Sequence, residues 1–161
     1  MRTLVAFSTK YGTTEKAVEI LAKHMKSEVD ILDLREFPKE DGPNLGLYDA
    51  IAVGGSIYAG KIQREVRGFC LENLEYLLEK PLGLFICCAF GEAEKQLEAA
   101  FSEKLLAHAA VRGYFGYQFN MQRMNFICRS IVRFVTGIKS TERALDKTSI
   151  KQFARKLEER V

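Results

Sequence analysis

Leu4-Val5-Ala6-Phe7-Ser8-Thr9-Lys10-Tyr11-Gly12-Thr13-Thr14-Glu15-Lys16 changes its hydrophobic period across a short polar loop. The apolar run from Leu4 to Phe7 reads as a buried strand. From Glu15 onward Ala17, Val18, Leu21, Ala22 and Met25 recur at helical spacing. Between the two, Ser8, Thr9, Thr13 and Thr14 gather hydroxyls around Gly12, with Lys10 and Tyr11 beside them. Such a loop can turn its N–H groups and hydroxyls inward on a phosphate at the N-terminus of the helix, where the macrodipole also favours an anion. The pattern is neither GxxxxGK[ST] nor GxGxxG, so a nucleoside triphosphate or a dinucleotide has little support. A phosphate monoester that arrives without a metal suits it better. Capping is the second reading, because Thr13 or Thr14 could simply cap the helix as in any strand-to-helix turn.

The chain around this stretch has 161 residues, a single-domain length that can bury a real core. Its 47% hydrophobic and 28% charged composition is that of a soluble globular protein. No apolar run approaches the roughly 20 residues of a membrane span. Strand-like residues begin at Thr3 and a polar loop follows at Ser8, a pattern unlike a signal peptide, so a cytoplasmic location is expected. Cys70, Cys87, Cys88 and Cys128 have neither a CxxC nor metal-ligand spacing, so reduced structural thiols and no metal are expected. The adjacent Cys87 and Cys88 close an apolar run and are not expected both to face a core from one strand; a redox role for the pair is the alternative. His24 and His108 stand alone on helical segments, and no Ser–His–Asp, paired-carboxylate or Cys–His arrangement can be assembled. No catalytic side chain is expected.

Along the chain, strand and helix patterns alternate. Strands are predicted at 3–7, 29–33, 50–54, 81–88 and 111–119, and helices at 13–26, 63–78, 92–107, 121–136 and 149–159, the last capped by Thr148 or Ser149. Pro38, Gly42, Pro43 and Gly46 mark 35–47 as loop. Alternation of this kind implies a parallel sheet with right-handed crossovers and helices on both faces. With the phosphate loop after the first strand, the expected arrangement is a single α/β domain whose five parallel strands run in the order 2-1-3-4-5. In that topology ligands bind at the carboxyl ends of the strands flanking the switch point, here the first and third.

The loops at that edge have the residues of a ligand site. After the third strand, Gly54 and Gly55 precede Ser56-Ile57-Tyr58-Ala59-Gly60, a tight glycine-flanked turn with an aromatic that can stack on a planar ring. Tyr58 could equally pack on neighbouring protein. After the fourth strand come Cys88-Ala89-Phe90-Gly91, where Phe90 could cover the other ring face or serve as core. FMN carries a phosphate monoester and a flat ring, which makes FMN the expected cofactor.

Ser8-Thr9-Lys10-Tyr11-Gly12-Thr13-Thr14 resembles the FMN phosphate loop of flavodoxins, and the expected flavodoxin-like topology agrees over nearly the whole chain. Gly55-Ser56-Ile57-Tyr58-Ala59-Gly60 is similar to the corresponding loop of the flavodoxin-type, quinone-dependent protoporphyrinogen IX dehydrogenases. The segment Met124–Arg143, with a basic apolar helix and Gly-Ile-Lys-Ser-Thr-Glu, also resembles that group. The resemblance implies an FMN-dependent oxidoreductase that takes electrons from a reduced substrate, such as a porphyrinogen, and passes them to a quinone. An electron-transfer flavodoxin that serves a redox protein, or a cofactor-free binding protein of the same fold, are the alternatives. Two departures bear on the carrier alternative: the chain has no Trp, and its net charge is +3 where carrier flavodoxins are generally acidic.

That charge is unevenly placed. No Asp or Glu occurs from Lys104 to Thr141, while Lys104, Arg112, Arg123, Arg129, Arg133 and Lys139 all do. The rest of the chain therefore carries −3, the difference between +3 overall and these six. Met121, Met124, Ile127, Cys128, Ile131, Val132, Phe134 and Val135 form one broad apolar face of a helix, with Gln122, Asn125, Arg129 and Arg133 opposite and Phe126 near Arg133. One reading packs this helix on the sheet with a solvated basic face. The other sets residues 121–139 against anionic lipid or a porphyrin's propionates, as a peripheral membrane contact. No nucleic-acid motif accompanies the charge, so nucleic acid is not an expected partner.

Overall fold

The computed structural model describes residues 1–36, 42–88, 92–119, 122, 124–136 and 142–161. Strand β1 (Arg2–Ser8) leads through the hydroxyl loop into α1 (Thr13–His24), followed by β2 (Glu28–Asp33) and a short 3-10 turn at Leu45–Leu47. Next come β3 (Ala50–Tyr58), the two-residue β4 (Lys61–Ile62), α2 (Arg64–Glu72), α3 (Leu74–Glu79) and β5 (Leu82–Cys87). The second half adds α4 (Ala93–Ala100), α5 (Glu103–His108), β6 (Val111–Tyr114), β7 (Gly116–Phe119), α6 (Phe126–Thr136), β8 (Glu142–Leu145) and α7 (Lys147–Glu158). Strands β2, β1, β3, β5 and β6 pair in that order, all parallel, which is the expected 2-1-3-4-5 sheet counted over its parallel members. The fold is the flavodoxin-like doubly wound α/β sheet.

Parallel strands read as unbroken apolar runs because helices cover both faces of the sheet. Alternate residues of β1 show the division: Leu4 and Ala6 belong to the core under α2 to α5, while Val5 and Phe7 belong to the core under α1 and α7. This two-sided burial corrects the reading of the vicinal thiols. Cys87 is buried with Phe7 and Phe85, and Cys88 is buried with Leu84 and Ile86 on the opposite face. A strand covered on one side could not hide both; a doubly covered one does. Phe85 centres the second core, stacked on Phe115 with centroids 4.8 Å apart and edge-on to Phe153 at 5.8 Å.

Several predicted boundaries shift, each for a local reason. The third strand runs on to Tyr58 because its end pairs antiparallel with β4, Tyr58 opposite Lys61, across a turn in which Ala59 (φ 49°) and Gly60 (φ 73°) are both left-handed. Such a turn matches the twist of the strands it joins. The helix predicted at 63–78 divides at Asn73, whose side-chain amide donates to the Phe69 carbonyl at 2.9 Å. The helix predicted at 92–107 divides at Phe101–Ser102, where the Ser102 hydroxyl caps α5. The strand predicted at 111–119 breaks at Phe115: β6 stays in the main sheet, whereas β7 pairs antiparallel with β8, a strand the hydrophobic pattern does not announce. Helix α6 starts at Phe126 rather than 121, since the Asn125 carboxamide accepts from the Cys128 N–H at 2.8 Å and caps it. Residues 121 and 123 lie outside the described set.

The final helix is capped neither by Thr148 nor by Ser149. Asp146 caps it, accepting from the Ser149 N–H at 2.9 Å and from its hydroxyl at 2.7 Å. These bonds hold the Asp146 carboxyl below its ordinary range. A depressed folded-state value stabilises the protein above the unfolded carboxylate range, and that contribution fades as pH falls through the folded value. Asp146→Ala should therefore lose about 1 kcal/mol of stability at neutral pH, with the gap to wild type closing in acid, as urea midpoints across pH would show. Gly54 tests the core: a Cβ there would overlap both the Phe85 ring and its carbonyl oxygen. Gly54→Ala should cost about 1–3 kcal/mol by the same measurement, because the carbonyl oxygen cannot rotate away.

Candidate cofactor site

Register in the central strands builds the site. Ser8 lies opposite Gly55, and Ser56 opposite Cys87, so the carboxyl ends of β1, β3 and β5 open on one edge. The loop after β1 then climbs into α1 through Gly12, whose φ of 86° is left-handed and favours a residue without Cβ. The helix takes its first carbonyl from Gly12, to the Lys16 N–H at 3.3 Å, and Gly12 itself has no side chain with which to cap it. Thr13 and Thr14 sit inside the first turn, so neither is the cap that the plainer reading of this loop would require.

The loop donors converge instead. The N–H groups of Gly12 and Thr14 both point at the Thr9 hydroxyl oxygen, at 3.0 and 3.4 Å. Ser8, Thr9, Thr13 and Thr14 are all buried. The Ser8 Oγ and Thr14 Oγ1 are buried without any hydrogen-bond partner; Thr14 comes near the Cys87 thiol but makes no bond of ordinary geometry with it. An unpartnered buried hydroxyl costs free energy on the order of 1–3 kcal/mol, so two of them at a helix N-terminus are donors that an acceptor oxygen could satisfy. The residues present fit a phosphate group there by the chemistry of their donors: hydroxyls, converging amides and the positive end of the α1 dipole.

The second loop forms the rim. Ser56 is gripped twice by Gln63, its N–H donating to Oε1 at 3.0 Å and its Oγ accepting from Nε2 at 2.7 Å. Ile57 packs half-buried on the core, and Ala59 and Gly60 are exposed at the turn. Tyr58 is 41% exposed. Its ring meets Tyr11 edge-on at 6.1 Å, and the Lys10 ammonium stands 3.2 Å from its centroid. One face of Tyr58 is thus held by a cation–π contact, and a planar ligand would have to share or displace Lys10 to stack there. From the third loop, Cys88 is buried and its carbonyl accepts from the Tyr114 hydroxyl at 2.8 Å. Ala89, Phe90 and Gly91 lie outside the described residues.

Two members of this rim escaped the sequence reading. Gln63 looked like the start of a helix, and nothing in its neighbours signals a partner at Ser56. Cys128, from α6, is hydrogen-bonded at Sγ to the Tyr58 hydroxyl at 3.1 Å across a separation of 70 residues. The hydroxyl of Tyr11 influences Cys128 as well, though it forms no bond of ordinary geometry. The hydroxyls of Tyr11 and Tyr58, with the positive charge of Lys10, hold the Cys128 thiol below its usual range. Burial pushes the Tyr11 phenol up. Burial also pushes the Cys70 and Cys87 thiols up to about 12. Among the described residues no cluster of His, Cys, Asp or Glu could hold a metal ion.

A doubly wound sheet with a hydroxyl-rich loop after its first strand and a glycine-flanked tyrosine turn after its third defines a class of α/β proteins. Within that class the chain belongs to the family described as Flavodoxin domain, which matches residues 4–146. A Streptococcus pneumoniae TIGR4 flavodoxin is similar in structure at 16% identity, covering 100% of both chains with a TM-score of 0.57. Flavodoxin 1 of Bacillus cereus is similar at 15% identity over 100% of this chain and 99% of that one, TM-score 0.57. The rubredoxin oxygen:oxidoreductase of Desulfovibrio gigas aligns at 16% identity over 99% of this chain but only 36% of its own, TM-score 0.55. At such identities the likeness is one of fold. No curated protein matches the sequence significantly.

The thiol environments give a direct check. In the native protein iodoacetamide should alkylate Cys128 first near neutral pH, because a lowered pKa enlarges its thiolate fraction and the residue is partly exposed. Peptide mapping should find Cys70, Cys87 and Cys88 unmodified until the protein is unfolded, and Tyr58→Phe should slow the reaction of Cys128.

Proposed function

We propose that this chain binds FMN and acts as an oxidoreductase that moves electrons from a reduced substrate to a quinone, in the manner of the flavodoxin-type protoporphyrinogen IX dehydrogenases it resembles. The observation that carries the cofactor is the pair of buried hydroxyls, Ser8 and Thr14, left without partners at the N-terminus of α1. FMN, when bound, supplies one- and two-electron chemistry at its ring. The chain's own contribution is binding and orientation. The Ser8 and Thr14 hydroxyls and the loop amides now turned on Thr9 would meet the phosphate, with Thr13 and Tyr11 around it. Ser56, fixed by Gln63, and Tyr58, tethered to Cys128, would set the ring edge and limit its exposure to water. No acid–base side chain is needed.

The reaction class is supported by the surface as well as by the resemblance. Carrier flavodoxins depend on negative charge to dock on basic partners, and a chain at +3 with an acid-free stretch from 104 to 141 lacks that device. A carrier without its own substrate is the second reading, favoured by the full-length likeness in fold to flavodoxins.

The first test is an absorbance titration. FMN mixed with the protein should give a shifted flavin band and quenched fluorescence; a protein that leaves both unchanged binds no flavin. Thr14→Val then separates a ligand site from mere structure. Removing an unpartnered buried hydroxyl should raise the stability of the cofactor-free protein by about 1 kcal/mol or more, while FMN affinity falls by roughly 1.5–3 kcal/mol. Anaerobic mixing with protoporphyrinogen and then a quinone decides the reaction: bleaching followed by return of the flavin band supports the dehydrogenase, and a flavin inert to the porphyrinogen leaves the carrier.

A further inference from the structure

Helix α6 stands at the rim of the candidate site, next to Tyr58. No other element packs extensively against it among the described residues, and its tie to the body is Cys128 on Tyr58. Its outer side is apolar. Phe134 is 93% exposed, Phe126 80%, Ile127 68% and Ile131 57%. On an α-helix these four fall within one continuous strip, opposite the side on which Cys128 turns inward. Contiguous apolar surface of this kind marks a docking face rather than ordinary exterior.

Charge selects what covers it. Arg133 follows Phe126 by two turns and is exposed beside the apolar strip, while the half-buried Arg129 on the same flank has its Nε buried and donates to the Met124 carbonyl at 3.1 Å. The sequence from 104 to 141 offers no carboxylate to neutralise them. A second copy would add another acid-free basic segment to this face, with no carboxylate from residues 104–141 to pair with Arg133. An anionic lipid surface meets both requirements, taking the aromatic and aliphatic side chains at the acyl boundary and the guanidinium groups at the headgroups. Eleven residues rise about 16 Å, too short for a span, and no helix among the described residues is long and apolar enough to cross a membrane.

We propose that α6 is an in-plane anchor that docks the protein on anionic lipid. Because Cys128 joins α6 to Tyr58, docking brings the rim of the candidate cofactor site to the lipid surface. An electron acceptor dissolved in the bilayer would reach the site from there. Membrane binding itself requires no cofactor, so its test is independent of the flavin titration.

The experiment is flotation of the whole protein with phosphatidylcholine vesicles, with and without phosphatidylglycerol. The protein should float with the anionic vesicles, about tenfold or more weakly with neutral ones, and less as salt rises. The double variant Phe126→Asp/Phe134→Asp should lose about tenfold or more of the binding, with far-UV circular dichroism and the urea midpoint unchanged, since neither ring is in the core. Arg133→Glu should weaken binding to anionic vesicles and leave the residual binding to neutral ones. Wild-type protein that stays with the unbound fraction, a double variant that floats as well as wild type, or salt-insensitive binding would each overturn the proposal. So would a dimer in sedimentation that the double variant dissolves, which would assign the face to a second copy.

Discussion

The parallel pairing of β1 with β3 is the constraint on which the candidate site depends. It sets Ser8 opposite Gly55, so the loop that climbs into α1 and the loop that carries Tyr58 leave the sheet side by side. Pairing of β3 with β5 extends the same edge to Cys87 and Cys88. A slip of one residue in either pairing would turn alternate side chains to the wrong core, because both faces are buried. The aromatic cluster of Phe85, Phe115 and Phe153, together with Gly54 beneath Phe85, makes such slips costly. Packing deep in the sheet thus fixes the geometry of its carboxyl edge.

At that edge the protein keeps polar groups in a state that the core would not tolerate. Ser8 and Thr14 are buried and unpartnered, and two loop amides share the single oxygen of Thr9. The rim is arranged differently. Ser56 is fully engaged by Gln63, and Tyr58 is held by Lys10 on its face, by Tyr11 at its edge and by Cys128 at its hydroxyl. The thiol of Cys128 is then placed where both the cofactor loop and the amphipathic helix can influence it.

Much of this was legible in the residues, because the signals were local. The change of period between Phe7 and Glu15, the hydroxyls between them and the glycines around Tyr58 are all short-range features, and the alternation of strands and helices limits the topology to very few orders. What escaped were contacts made at a distance. The pairing of β7 with β8 joins residues that have no common pattern. Helix breaks at Asn73 and at Phe101–Ser102 follow from side-chain bonds rather than from any loss of amphipathic period. Gln63 acquires its role only when β3 turns back through Gly60 to bring it beside Ser56.

By itself the sequence determined the class of sheet, the order of its parallel strands and the place of the hydroxyl loop between β1 and α1, since periodicity, capping chemistry and crossover handedness act within short stretches. Tertiary structure alone decided which hydroxyls lack partners, that both vicinal thiols are buried, and that the apolar strip of α6 faces outward. Each of those depends on what another segment brings to the same point in space. Hydrogen-bond satisfaction and burial are properties of neighbours, and most of the deciding neighbours here are far away in the chain.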